Sequence, residues 1–268
     1  MPEMWIDTHC HLDAAEFAEG SEQVAQDAAA AGVGMIIIPA VERANFTRCA
    51  HLGQTLPNAC YALGIHPMYV PGAQELDLLE LRQQVAQAMI DPRFVAIGEI
   101  GLDLFIPSLK DGAMRAKQDF FYAEQLKIAR DFGLPVLLHV RRSQDEILKQ
   151  LRKIRVSGGI AHAFNGSFQQ AQIFVDLGFK LGLGGAMTFT RALQIRRLAS
   201  DMPLDTLVLE TDAPDIAPSW LHPARNSPQQ LPAIGAVLAQ LRNMAPGDLA
   251  LALQANALAC VPRLAKLL

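Results

Sequence analysis

Short apolar runs recur along the chain, each followed by a longer stretch in which apolar positions return every three or four residues. The runs fall at 4–8, 34–38, 60–64, 94–99, 135–139, 159–163, 179–184 and 206–211. They are nearly continuous in apolar side chains, the pattern of parallel strands buried on both faces. The stretches between them read as helices. Residues 21–31 open on Ser21, a capping residue type, and stop before Gly32. Residues 114–132 place Phe121, Ile128, Ala129 and Phe132 on one face and leave Arg115, Lys117 and Lys127 to solvent. Residues 142–154, 168–177 and 191–199 follow the same scheme. Eight strands alternating with helices predict an α/β chain closed into a (β/α)8 TIM-type barrel. An open doubly wound sheet is the alternative, but no GxGxxG follows the first run, which weakens its dinucleotide-binding form.

Length agrees with a barrel. About 250 residues make one such domain, and the 268 residues here, 51% hydrophobic, read as a single domain over 1–268. Two connections are long, 105–113 after the fourth run and the proline-rich 214–232 after the eighth. Both follow strand C-termini, where barrel enzymes carry their active-site loops. The formal net charge of -4 argues against an extensive grip on duplex nucleic acid. It leaves room for one or two phosphates in a metal cleft, because the ions supply positive charge. The four cysteines, Cys10, Cys49, Cys60 and Cys260, form no CxxC pair, which points to a reducing, cytoplasmic compartment. The first residues lack a basic segment and the apolar runs are short, so neither a signal peptide nor a membrane span is expected.

Chemistry-bearing residues gather at the C-terminal ends of the runs. The first ends in His9-Cys10-His11. Alternate residues on a strand share a face, so His9 and His11 both point into the barrel mouth while Cys10 points away. An HxH pair alone is a weak sign of metal, but the other runs add Glu99, His139, His162, Glu210 and Asp212. Parity puts Val95, Ile97 and Glu99 on one face, Leu137 with His139, and Val208 with Glu210 and Asp212. Closure of the barrel brings these ends around one axis. His9, His11, Glu99, His139, His162 and Asp212 are therefore the candidate metal ligands, and six exceed the tetrahedral set of one zinc. Two divalent ions are expected, with Glu99 as the bridging carboxylate. So many imidazoles suit zinc, manganese, iron or nickel better than magnesium or calcium. A metal pair about 3.5–4 Å apart activates water and stabilises attacking and leaving oxygens. Asp212 is placed to accept the water's proton, which makes it and Glu99 the candidate catalytic residues. No GxSxG motif offers a serine alternative.

These residues stand in segments that resemble the TatD family of metal-dependent hydrolases and deoxyribonucleases, related to the amidohydrolase-type barrels. The segments are Asp7-Thr8-His9-Cys10-His11-Leu12, Gly64-Ile65-His66-Pro67, Gly98-Glu99-Ile100-Gly101-Leu102-Asp103 and Pro135-Val136-Leu137-Leu138-His139-Val140-Arg141. They continue with His162-Ala163-Phe164-Asn165-Gly166 and Glu210-Thr211-Asp212-Ala213-Pro214, and Arg225-Asn226-Ser227-Pro228 and Asn256 also fit. The resemblance runs through essentially the whole chain in order. It implies that His9, His11 and Asp212 bind one ion, that His139 and His162 bind the other, and that Glu99 is shared. It also implies DNase activity supported by magnesium or manganese, often removing nucleotides from 3′ ends. Donor chemistry and resemblance thus differ on the metal, leaving Zn, Mn, Mg, Fe or Ni. Two positions depart from the family pattern, both near the substrate. Leu104 precedes Phe105 where an aromatic often follows Gly-Leu-Asp directly, and Asp215 and Ile216 stand where an aromatic is common.

His66, Arg141 and Arg225 are the candidate substrate contacts. A guanidinium fork suits phosphate, the competing role being an ion pair with a loop carboxylate; for His66 the competing role is support of a ligand. Asp103 and Glu210 are expected to orient ligating histidines. The function expected is hydrolysis of DNA phosphodiesters, at strand ends or in short single strands, the 3′ end favoured. The same centre could instead attack the carbonyl of an ester, lactone, amide or aminoacyl-tRNA. A non-catalytic metal-binding protein is the third reading, disfavoured by the complete ligand set. No membrane and no obligate protein partner are expected, and the chain is expected to be a monomer.

Overall fold

In the computed structural model, which describes residues 4–18 and 20–268, eight strands form one sheet in sequence order, every neighbouring pair parallel. They are β1 (Trp5–Asp7), β2 (Val33–Pro39), β3 (Ala59–Leu63), β4 (Phe94–Asp103), β5 (Val136–Arg141), β6 (Gly159–His162), β7 (Phe179–Leu183) and β8 (Leu207–Leu209). The helices are α1 (Ser21–Ala30), α2 (Phe46–Thr55), α3 (Glu75–Ala88), α4 (Gly112–Phe132), α5 (Gln144–Lys153), α6 (Phe168–Asp176), α7 (Leu193–Asp201), α8 (Leu231–Arg242) and α9 (Pro246–Cys260). This is the (β/α)8 barrel expected from the apolar runs. Single backbone bonds join β8 to β1 across the seam, Thr8 N to Leu209 O at 3.1 Å and Asp212 N to His9 O at 2.9 Å.

Boundaries shift for local reasons. Helix α5 begins at Gln144 and not at 142, because Arg142 sits at φ 54, in the left-handed region where a right-handed helix cannot start. Helix α6 starts where Ser167 accepts from Gln170 N and the Gln170 side chain answers, a capping box. Strand β4 runs four residues past Glu99 to Asp103. It carries an irregularity, Ile97 pairing with Val136 but Ile100 with Leu138, so three steps on β4 oppose two on β5. Such a bulge reverses side-chain parity. A second irregularity precedes Ile97, where Phe94 and Ala96 oppose the successive residues Tyr61 and Ala62 of β3. Val95 then points into the barrel and Ile97 packs outward among the helices, so the shared face expected for Val95, Ile97 and Glu99 is not formed.

Two apolar layers result. Ile36, Ile38 and Leu138 face the helices, whereas Met35, Ile37, Leu137 and Val208 fill the barrel. Its floor is closed by the C-terminal segment, from which Ala257, Cys260, Val261 and Leu264 pack up into the interior. Polar bonds lock this plug. Asn256 Nδ2 donates to Leu204 O and Leu207 O at 2.7 and 2.8 Å, and Arg263 donates to the carbonyls of Phe94, Asp91 and Met89. With the bottom sealed, the barrel opens only at the strand C-termini. All four cysteines are buried and free. Among the described residues no helix is long and apolar enough to cross a membrane.

Candidate metal centre

The open end holds the site. His9 and His11 follow β1, Glu99 lies on β4, His139 on β5, His162 ends β6, and Glu210 and Asp212 follow β8. Glu99, 2% exposed, is the hub. Its Oε2 lies 3.1 Å from His9 Nε2 and 3.4 Å from His11 Nε2. Its Oε1 lies 2.9 Å from His139 Nδ1 and 3.4 Å from His66 Nε2. Asp212 Oδ1 stands 3.6 Å from His11, 3.8 Å from His9 and 3.5 Å from His162 Nε2. The rings of His9 and His162 stack at 3.7 Å.

Three groups bring donor atoms within 4.8 Å of one another: His9, His11 and Glu99; His9, His162 and Asp212; and His66, Glu99 and His139. All six expected ligands thus converge, but their grouping differs from expectation. His162 leans toward Asp212 and His9, and His66 takes the place beside Glu99 and His139. His66, for which contact with substrate and support of a ligand were both expected roles, has its Nε2 2.9 Å from His139 Nδ1 and its ring is buried. His66 reaches inward because its own Nδ1 accepts from Met68 N at 3.1 Å, which aims Nε2 at the centre.

The two carboxylates expected to orient ligating histidines lie beside imidazoles of the cluster. Asp103 Oδ2 lies 3.2 Å from His139 Nε2, while Oδ1 accepts from Phe105 N and Ile106 N at 2.8 and 3.1 Å. Glu210 Oε1 lies 2.9 Å from His162 Nδ1 and accepts from Ala163 N at 2.6 Å. Gly182 of β7 makes space for it, since a β-carbon there would meet Glu210 Oε2 at 2.2 Å. One buried carboxylate escaped the sequence reading. Asp7 Oδ1 accepts from Thr211 N at 2.9 Å and from His9 N at 3.3 Å, and Oδ2 accepts from Thr211 Oγ1 at 2.5 Å. It ties the residues beside His9 to those beside Asp212 across the seam. An acid inside an apolar strand next to HxH was the available signal.

Of the remaining candidates, Arg141 lines the cleft, 3.6 Å from Asp103 Oδ2 and stacked 4.0 Å over the Phe105 ring. Arg225 does not line it. Its guanidinium covers Phe17 at 4.7 Å and donates to Glu16 O, anchoring the loop before α1. A substrate contact through Arg225 therefore does not fit.

Charge makes the case for a cation. Burial lowers His9 to about 3 and His66 to about 4. Burial also opposes protonation of His11 and His162, yet the surrounding carboxylates raise them to about 9 and about 10. Burial would push Glu99 up, but His66 and His9 hold it well below the usual carboxylate range. Burial raises Asp212 to about 6. Carboxylates at this density oblige neighbouring imidazoles to hold protons, crowding cations against one another. A divalent ion replaces those protons and leaves each imidazole a lone pair to give. The donor set fits such an ion.

Comparison with known proteins agrees. The family described as TatD related DNase matches residues 6–261. The chain belongs to the TatD family. The uncharacterized metal-dependent hydrolase YjjV of Escherichia coli K12 is 40% identical over 253 residues, covering 94% of this chain and 95% of YjjV. The crystal structure of YjjV superposes with a TM-score of 0.90, covering 96% of this chain and 98% of that one. The uncharacterized metal-dependent hydrolase TatD of Mycobacterium tuberculosis is 33% identical over 262 residues, 94% of this chain and 96% of the relative. A TatD family protein from Entamoeba histolytica, 19% identical, shares the fold with a TM-score of 0.83 over 97% and 99% of the two chains. This TatD-family chain is accordingly a metal-dependent hydrolase.

Proposed function

We propose that this hydrolase cleaves DNA phosphodiesters from the ends of single strands, with two divalent ions at its centre. The observation that carries the reading is the split of Glu99, one oxygen facing His9 and His11, the other facing His139 and His66. A carboxylate so disposed suits a bridge between paired ions. His9, His11 and Asp212 would complete one set, His139 and His66 the other, with His162 beside Asp212. When bound, such a pair supplies an activated water and offsets charge on the phosphoryl oxygens.

The chain's residues do the rest. Asp212, whose carboxylate faces His11, His9 and His162, would take the proton released by the attacking water. Asp103 and Glu210 fix the rings of His139 and His162. Arg141 presents its guanidinium to the phosphate from the β5 wall. Acids Asp13, Glu16 and Glu42 line the cleft on the side of β1 and β2. A polyanion is repelled there, which favours a strand that ends in the cleft over one that crosses it. A cleft of about 1510 Å³ with arginines on one wall favours phosphodiesters over small neutral esters.

The test is hydrolysis of 3′-labelled and 5′-labelled single-stranded oligonucleotides by metal-stripped protein resupplied with Mg, Mn, Zn or Ni. Stepwise shortening that needs metal and disappears in Glu99→Ala is the expected result. Metal-loaded protein that shortens neither strand refutes the DNase reading and turns attention to ester, lactone and aminoacyl substrates.

A further inference from the structure

Phe105 is a large apolar side chain left 44% exposed at the mouth of the cleft. Two guanidinium groups lie against its ring, Arg141 at 4.0 Å and Arg142 at 4.7 Å. These are the only Arg or Lys side chains among the described residues lining the cleft. The layer is built, not incidental. Leu104 N donates to Arg141 O at 2.9 Å, and Phe105 N donates at 2.8 Å to Asp103, the carboxylate that also meets His139. Arg142 is held at φ 54, a conformation a side chain with a β-carbon rarely adopts, and one that persists where surrounding structure enforces it. The ring and both cations are therefore keyed to the centre through one buried carboxylate and one strand end.

Resting on the DNase reading, we infer that Phe105 with Arg142 forms the subsite for the nucleotide adjoining the scissile phosphate. The base of that nucleotide stacks on the phenylalanine–arginine layer, and Arg142 takes the next phosphate along the strand. Aromatic rings and guanidinium planes accept any base, because every base has a π face. The subsite thus measures the presence of a second nucleotide, not its identity. The rest of the described lining carries no arginine or lysine, and its acids Asp13, Glu16 and Glu42 face the other side, so the strand leaves the cleft over β4 and β5.

The test uses metal-loaded full-length protein and three substrates: a ten-residue oligothymidylate, the same oligomer with an abasic unit next to the scissile position, and methyl 4-nitrophenyl phosphate. Variants are Phe105→Ala, Phe105→Tyr and Arg142→Ala. For Phe105→Ala, KM for the oligomer rises about tenfold with little change in kcat. The wild type prefers the intact oligomer over the abasic one, and Phe105→Ala loses that preference. Phe105→Tyr restores it. Arg142→Ala reduces the salt slope of log KM by about 0.7, one phosphate contact to a single strand. Parallel losses on oligomer and small diester, or an abasic preference that survives in Phe105→Ala, overturn the subsite while leaving the nuclease reading intact. Wild type that turns over the small diester but no oligomer refutes the nuclease reading, and the subsite falls with it.

Discussion

Asp103→Asn separates the role of a carboxylate from its shape. Burial would raise Asp103, but the bonds from His139 and from the backbone N–H groups of Ile106 and Phe105 hold it at about 2. Asparagine keeps an oxygen for those two N–H groups and preserves the loop. It places an N–H2 donor where Oδ2 stood, 3.2 Å from His139 Nε2. The imidazole must then carry its proton on Nδ1, the atom 2.9 Å from Glu99 that faces the centre. The lone pair needed by an ion is thereby turned away. A charge-assisted hydrogen bond contributes about 1.5–3 kcal/mol, so the melting temperature should fall by about 4–8 °C for a cost near 2 kcal/mol. Removing the partner of a ligating histidine typically lowers metal affinity 10- to 100-fold, about 1.4–2.7 kcal/mol. Competition of stripped protein against a chelating dye would read both ions of the proposed pair. The ion at His9, His11 and Asp212 should keep its affinity, and the ion at His139 and His66 should weaken. If Asp103→Asn holds two ions as tightly as the wild type, the tautomer argument is wrong.

Other outcomes follow from the same structure. Stripping the metals with a chelator should lower the melting temperature by roughly 10 °C, since a ligand at a thousand times its Kd adds about 4 kcal/mol, and calorimetry before and after reloading checks it. Leu264→Ala should cost about 2–5 kcal/mol in urea unfolding while sparing kcat, because Leu264 fills the barrel floor and touches nothing at the mouth; an equal loss of kcat contradicts that separation. Burial raises the Asp7 carboxyl to about 7, well above its unfolded value near 3.8, although Thr211 opposes the shift. The folded chain keeps that proton while the unfolded chain sheds it, so this group's contribution to stability falls as pH rises from about 4 to about 7, then levels. Compared with Asp7→Asn at pH 4.5 and 7.5, the stripped wild type should lose stability by a few kcal/mol more; a difference independent of pH refutes the assignment.

The barrel was legible because strands buried on both faces write themselves as unbroken apolar runs, and loops of the catalytic end follow each of them. The ligands were legible because histidines and acids at those ends interrupt an otherwise apolar pattern. What period-two parity could not see was the pair of irregularities in β4, one before Ile97 that turns it outward and one after it that brings Glu99 back to the centre. The regrouping of His66 and His162 was hidden for a similar reason. Their aim is set by contacts that apolar parity does not encode, the Met68 amide two residues on for His66 and the distant Glu210 for His162. Arg225 shows the converse: an arginine in a long catalytic-end loop looks free to meet phosphate, but Phe17 and the Glu16 carbonyl, met only through folding, occupy it. The floor plug was illegible because α9 is apolar almost all round, and only the barrel it enters reveals what it covers.

The seam between β8 and β1 decides when this centre comes into being. Asp7 and Thr211, whose bond clasps His9 to Asp212, lie 204 residues apart. At about 5–20 residues per second, a ribosome needs roughly 10–40 s to supply the second after the first. His66, Glu99 and His139 belong to β3–β5 and their loops, and emerge together midway. A nascent chain therefore exposes an incomplete donor set for most of its synthesis, and the full coordination sphere appears only once the returning strand closes the ring. Under the proposed two-ion reading, loading of the pair would then wait for the seam to close.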